Sequence, residues 1–208
     1  MPYLIDGGHR KPYSRPAELR DWWPEDTQEW LVKRSEFATI LSEGLSEAKA
    51  AEAPSTLALD GILKIKPFFK SVNGWWFVEQ LVKDLIEALD PGRHQFIPIR
   101  LAGYSGEREV EDGTWYILNV HFRVTSVVKD LSDLDVQRPP PNERLYVNPF
   151  GKRLTMDAAE LDPAAHLWRE HRFGRELFMS DDLYDRLMQM KVKLPARKVG
   201  VINAVENK

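Results

Sequence analysis

The chain contains no cysteine among its 208 residues. Disulfide bonds, thiolate nucleophiles and thiolate-bound zinc or iron–sulfur centres are therefore excluded together. No segment of the sequence is long and apolar enough to span a bilayer, and the first residues lack the basic and apolar regions of a signal peptide. The sequence leads us to expect a cytoplasmic protein that makes no membrane contact.

An excess of basic charge is missing as well. The 29 basic and 32 acidic residues are interspersed and give a net charge of −3, whereas nucleic-acid-binding proteins concentrate Lys and Arg on one face. Neither of the common phosphate-binding patterns, G-x-G-x-x-G and G-x-x-x-x-G-K-[ST], occurs. We therefore expect no nucleic-acid partner and no cofactor.

Apolar residues at helical spacing predict helices in the first half of the chain. They recur between Thr27 and Leu45, so that residues 1–54 read as a helical N-terminal arm. A second apolar stripe predicts a helix that Trp75-Trp76 open and Asp90-Pro91-Gly92 end. The members of this stripe are Val78, Leu81, Val82, Leu85 and Leu89.

Alternating or short apolar runs predict strands in the remainder. The longest are expected at residues 94–101 and 115–128, and shorter ones at residues 3–5, 145–147, 154–156, 171–179 and 198–205. Ser180, followed by Asp181 and Asp182, predicts the N-cap of another helix. Together these patterns predict an α+β fold in which a largely antiparallel sheet packs with helices. The helical arm would precede a main domain at residues 55–208.

The histidines are the residues from which a catalytic or metal site would most readily be built. His166 and His171 are five residues apart, whereas the two ligands of a zinc-binding helix must be four apart to face one metal. His121 lies between Asn119 and Arg123 on the mixed face of the predicted 115–128 strand. A small hydrolase-like enzyme with its site around these three residues and His94 is therefore an alternative hypothesis, although no acidic partner stands at a recognisable spacing.

Three stretches in order resemble a known bacterial family. They are the tryptophan-bearing helix ending in Leu85-Ile86-Glu87-Ala88-Leu89, the pair Gln95-Phe96-Ile97-Pro98-Ile99 and Trp115-Tyr116-Ile117-Leu118-Asn119-Val120, and Phe173 followed by Leu177-Phe178-Met179-Ser180-Asp181-Asp182-Leu183. Over roughly residues 70–205 the chain resembles the family numbered eleven among the immunity proteins of polymorphic-toxin systems. The resemblance implies an antidote that binds and neutralises a toxin delivered between bacteria. It supplies no catalytic residues.

Binding residues are predicted from residue type alone. Tight and selective inhibition favours buried aromatic anchors with a charged rim that rejects wrong partners. The candidate anchors are Trp22, Trp23 and Trp75, and the candidate rim residues are Glu170, Asp181 and Asp182. A general protein-interaction adaptor would use the same residue types, so it remains a second alternative.

Overall fold

The computed structural model describes residues 1–5, 15–18, 53, 55–60, 65–70, 75–103, 113–138, 144–147, 153–173 and 176–203. The chain forms two compact units. The first unit contains Met1–Gly7, Ala88–Pro91 and Phe122–Lys208, and the second contains Gly8–Glu87 and Gly92–His121. The division at residue 54 that the sequence suggests stays a prediction.

The described residues form fifteen strands and two α-helices. The strands β1 to β15 are, in chain order, Tyr3–Ile5, Arg15–Glu18, Thr56–Asp60, Phe68–Lys70, Trp76–Glu79, His94–Gly103, Trp115–Val120, Arg123–Val124, Leu134–Arg138, Arg144–Val147, Thr155–Asp157, Leu167–Glu170, Leu177–Met179, Ala196–Lys198 and Gly200–Ile202. The helices are α1 at Gln80–Leu89 and α2 at Asp181–Gln189. Short 3-10 turns lie at Lys129–Leu131 and Ala158–Glu160.

The second unit is built on a six-stranded sheet in the order β2-β3-β6-β7-β5-β4. The β3–β6 pair is parallel and the other pairs are antiparallel. Pro98 lies in β6, where it would interrupt a ladder, but the pairing of β6 with β3 starts only at Arg100. The edge of β6 that faces β3 is therefore unpaired at Pro98. Because no hydrogen bond to β3 is made at this position, a residue without a backbone N–H is tolerated there.

Alternating residues bury both faces of this sheet. One face belongs to an aromatic and aliphatic cluster of Leu57, Trp75, Phe77, Ile97, Ile99, Leu101, Trp115 and Ile117. On the other face Trp76, Val78, Leu118 and Val120 are also buried. Apart from Leu57, Leu101 and Leu118, these residues have the β-branched or aromatic side chains that fit a pleated surface.

The first unit is built on a five-stranded sheet in the order β14-β1-β13-β12-β8. Its strands are two to four residues long. The hairpin β9–β10 and the parallel pair β11–β15 accompany it. The core of this unit contains Leu4, Val127, Leu145, Leu154, Met156, Ala165, Trp168, Phe173, Phe178 and Val199.

The predicted α+β class is wrong, because strands dominate the described residues and only two α-helices accompany them. The predicted helical N-terminal arm is not found either. The parts of residues 1–54 whose backbone is described as regular structure are the strands β1 and β2. Tyr3–Ile5 confirms the short strand predicted there, and it pairs with β13 and β14 on its two sides. The helix predicted between Thr27 and Leu45 lies outside the described residues.

Two element boundaries also differ from the prediction. Trp75-Trp76 do not open a helix, since Trp76–Glu79 pairs with β4 and β7 and α1 begins only at Gln80. The strand predicted at residues 115–128 is broken at His121-Phe122, and Arg123–Val124 pairs with β12 instead. In both cases a strand partner distant in sequence sets the boundary.

Candidate partner-binding surface

The start of α2 presents two carboxylates next to a capped helix end. The Ser180 side chain accepts a hydrogen bond from the backbone N–H of Leu183 at 3.2 Å, which confirms the predicted N-cap. The side chains of Asp181 and Asp182 are 49% and 48% exposed. Asp181 bonds the terminal ammonium of Met1, and Asp182 accepts from Nε of Arg186 at 2.9 Å. Negative charge in the first turn also interacts favourably with the helix dipole.

A buried aspartate, Asp90, lies near this surface, and His166 is close to both. The Asp90 carboxylate has no exposed surface and accepts hydrogen bonds from the backbone N–H groups of His166, at 3.0 Å, and Leu167, at 2.8 Å. The His166 ring lies between two acids, with Nδ1 3.5 Å from Asp90 and Nε2 3.7 Å from Asp182. In the sequence, the Asp90-Pro91-Gly92 pattern marks Asp90 only as the end of a helix. Its partners are 76 and 77 residues away, a separation for which the sequence carries no signal.

Glu170 is fully buried, in contrast to the exposed rim position predicted for its type. Its carboxylate accepts from the backbone N–H groups of Ser126 and Val127 at 2.8 and 2.9 Å, and from Nε of Arg172 at 3.2 Å. Arg172 also donates to the carbonyl of Val127 at 2.7 Å. Glu170 and Arg172 therefore bind residues 126–127 to the end of β12.

Of the three candidate tryptophan anchors, only Trp75 lies among the described residues. Trp75 is 7% exposed and belongs to the core cluster of the second unit. Trp22 and Trp23 lie outside the described residues. The partner-binding role of all three stays a prediction.

The residues of the alternative enzyme site form an amide–imidazole cluster. His121 Nε2 lies 2.7 Å from Asn119 Nδ2 and 3.0 Å from Gln95 Oε1. Asn119 in turn donates to Gln95 at 3.2 Å. No sequence pattern marks Gln95 as a site residue, and it joins the cluster because it pairs with Asn119 across β6 and β7. An amide orients an imidazole, but it lacks the charge with which a carboxylate stabilises the imidazolium of a general base.

The other two members of that hypothesis are His94 and Arg123. His94 is buried at the start of β6 in the second unit, whereas Arg123 belongs to the first unit. Among the described residues, no three His, Asp or Glu side chains are grouped so that they could hold a metal ion. No described helix has the length and apolarity needed to cross a bilayer.

Comparison with known proteins places the chain among the immunity proteins. Residues 24–199 match the model of the Immunity protein family (Imm11). The chain belongs to this family, and its role is that of a toxin-neutralising immunity protein. The match confirms the family that the sequence motifs suggested. A comparison with curated proteins finds no match.

Proposed function

We propose that this immunity protein neutralises its toxin by binding it stoichiometrically in the cytoplasm, without catalysing a reaction. The observation that carries the proposal is the family match over residues 24–199.

We further propose that the acidic start of α2 is part of the surface that contacts the toxin. Asp181 and Asp182 each leave about half of their side chain in solvent, and Asp185 on the same helix is exposed. Exposed charges of one sign steer a partner of opposite sign and speed association more than they change the dissociation rate. The three acids Asp181, Asp182 and Asp185 outnumber the two cations at this helix start, the Met1 ammonium and Arg186, by one charge, so the proposed partner surface on the toxin is basic. Glu170 and Trp75 are buried, so the proposal does not use them and their partner-binding role stays a prediction.

The first test uses the cognate toxic domain, which is sought in a secreted protein encoded next to this chain. Co-expression with this chain is expected to restore growth, and titration of the purified proteins is expected to saturate at one immunity protein per toxin. Unchanged lethality would refute the neutralising role. Full protection at a small fraction of the toxin concentration would refute stoichiometric binding and favour an enzyme.

The second test removes the negative charges of Asp181 and Asp182. The double variant Asp181→Asn, Asp182→Asn is expected to associate about tenfold more slowly at low salt, since steering scales with charge. The difference should shrink at high salt because mobile ions screen exposed charges.

A matched control removes the same charge from other exposed sites of the first unit. Asp130→Asn, Glu160→Gln changes two exposed acids in the 3-10 turns. Equal association rates for the two double variants, at every salt concentration, would exclude the start of α2 from the contact surface.

A further inference from the structure

Two arginines occupy directly opposed positions on neighbouring strands of the first unit. Strands β8 and β12 are parallel, and Arg123 pairs in register with Arg169. The backbone N–H of Arg169 donates to the carbonyl of Phe122 at 2.9 Å, which fixes this register. Adjacent strands lie about 4.8 Å apart, so the two side chains start side by side.

Both side chains leave the sheet on the same face. Trp168 belongs to the core cluster of this unit, and Phe122 and Val124 pack against that cluster. Because side chains alternate along a strand, Arg123 and Arg169 point to the opposite face from these three residues. Two like charges directly opposite each other repel, so this arrangement is unfavourable on its own.

Burial adds to the cost at Arg169. The residue is 8% exposed, and its Nε has no hydrogen-bond partner within the described part of the chain. Burial first and the neighbouring Arg123 second lower the pKa of Arg169 to about 10, and Glu176 only partly opposes them. Burial also lowers the pKa of Arg123. Arg169 therefore remains charged at neutral pH in a place that does not fully compensate the charge.

The other buried charged residues of the same unit have hydrogen-bond partners that compensate their charge. Asp90 accepts from two backbone N–H groups, and Glu170 accepts from two backbone N–H groups and from Arg172. A guanidinium presents a planar fork of donors that matches a carboxylate, and charge-assisted bonds of this kind are strong. Two adjacent guanidinium groups would share one carboxylate between them.

We propose that Arg123 and Arg169 form the receptor site for one acidic side chain of the toxin. The inference rests on the proposed binding function and names a residue pair and a ligand class for it. The half-buried Arg123 provides the accessible side of the site, and Arg169 provides its floor. The site is opposite in charge to the start of α2, so a cognate toxin would have to match both signs, which excludes partners that match only one.

A toxin-free experiment tests the site itself. The melting temperature of the full chain is measured in sodium malonate, a small dicarboxylate, and in sodium chloride of equal ionic strength. Malonate is expected to raise the melting temperature by a few degrees, because a ligand that binds only the folded state stabilises it. Arg169→Met is expected to abolish this increase and to melt at or above the wild-type temperature in chloride, since it removes a poorly compensated charge while keeping a long side chain.

The binding experiment uses the same variants with the toxic domain. Arg169→Met is expected to weaken the complex at least tenfold, and Arg123→Gln serves as the second variant if Arg169→Met does not fold. Arg153→Gln is the matched control, because it removes the same charge from a side chain that is 72% exposed in the same unit.

The outcomes separate the two proposals. If the wild-type protein binds no toxin, stoichiometric binding fails, and the malonate experiment still decides whether the arginine pair is an anion site. If the arginine variants bind the toxin as tightly as Arg153→Gln, the receptor site is refuted even when neutralisation stands. A malonate effect that persists in the arginine variants would likewise refute it.

Discussion

The two units differ in the polar groups that they bury. In the second unit the buried polar residues among those described are Thr56, His94 and Asn119, none of which is a carboxylate or a guanidinium. In the first unit they are Asp90, Ser126, Arg169 and Glu170, three of which are charged types.

The two long strands of the second unit, β6 and β7, contribute to this difference. In the second unit the ten residues of β6 and the six of β7 pair over most of their length and bring large apolar side chains together. The five-stranded sheet of the first unit has strands of two to four residues, which pair few backbone groups each. Buried backbone N–H groups need partners, and Asp90 and Glu170 supply them where the short ladders do not. Burial of apolar side chains therefore dominates the stability of the second unit, whereas the first unit also depends on specific contacts of buried charged residues.

The largest effect expected from this comparison is in the core of the second unit. Phe77 has no exposed surface and stacks on Phe69 with ring centroids 5.1 Å apart. Phe77→Ala should lower the free energy of unfolding by about 3–5 kcal/mol because it leaves a cavity. Urea denaturation measures this loss. Leu81→Ala, at a side chain that is 63% exposed, is the control and should change stability by less than about 0.5 kcal/mol.

Glu170→Ala should give the largest electrostatic effect in the first unit. The change leaves the Arg172 charge without its buried partner and two backbone N–H groups without an acceptor. We expect a loss of about 3 kcal/mol, with faster hydrogen exchange at the Ser126 and Val127 amides. Unchanged exchange at these two amides would show that the short strands alone hold this segment.

Asp90→Ala tests the second buried carboxylate. It removes the acceptor of the His166 and Leu167 amides and should lower stability by about 2 kcal/mol. Asp90→Asn retains an acceptor oxygen and should lose less. Hydrogen exchange at Leu167 follows the effect locally, and an equal loss in both variants would mean that the charge, and not the hydrogen bonds, matters here.

The smallest of these effects is expected at the cap of α2. Ser180→Ala removes the acceptor for the Leu183 amide and should lower stability by about 1 kcal/mol. Ser180→Asp keeps a capping oxygen and should restore most of the loss. If the alanine variant is as stable as the wild type, the contacts of Asp181 and Asp182 suffice to hold the start of this helix.

Local patterns predicted several elements well. The N-cap at Ser180, the end of α1 before Asp90-Pro91-Gly92 and the strands that begin at His94 and Trp115 are all present. Each of these depends on neighbours in sequence. The start of α1 was predicted too early because Trp76–Glu79 carries an apolar pattern that also suits a strand, and its partners β4 and β7 decide the outcome.

The candidate site was less predictable than the fold. Asp181 and Asp182 are exposed as a first helical turn suggests, but Glu170 is buried because β8 and β13 flank its strand. Residue type alone favours an exposed glutamate. Arg123 and Arg169 are 46 residues apart in the sequence, and they become neighbours only because β8 and β12 pair in parallel. Nothing in the sequence therefore links the two residues.

The sequence by itself determined the family, the absence of cysteine chemistry, and the elements whose caps and alternation are local. Tertiary structure alone decided which apolar runs became strands, which carboxylates were buried, and which arginines met. The physical reason is that caps and periodicity act over a few residues, whereas strand pairing brings together backbone and charged groups that are far apart along the chain.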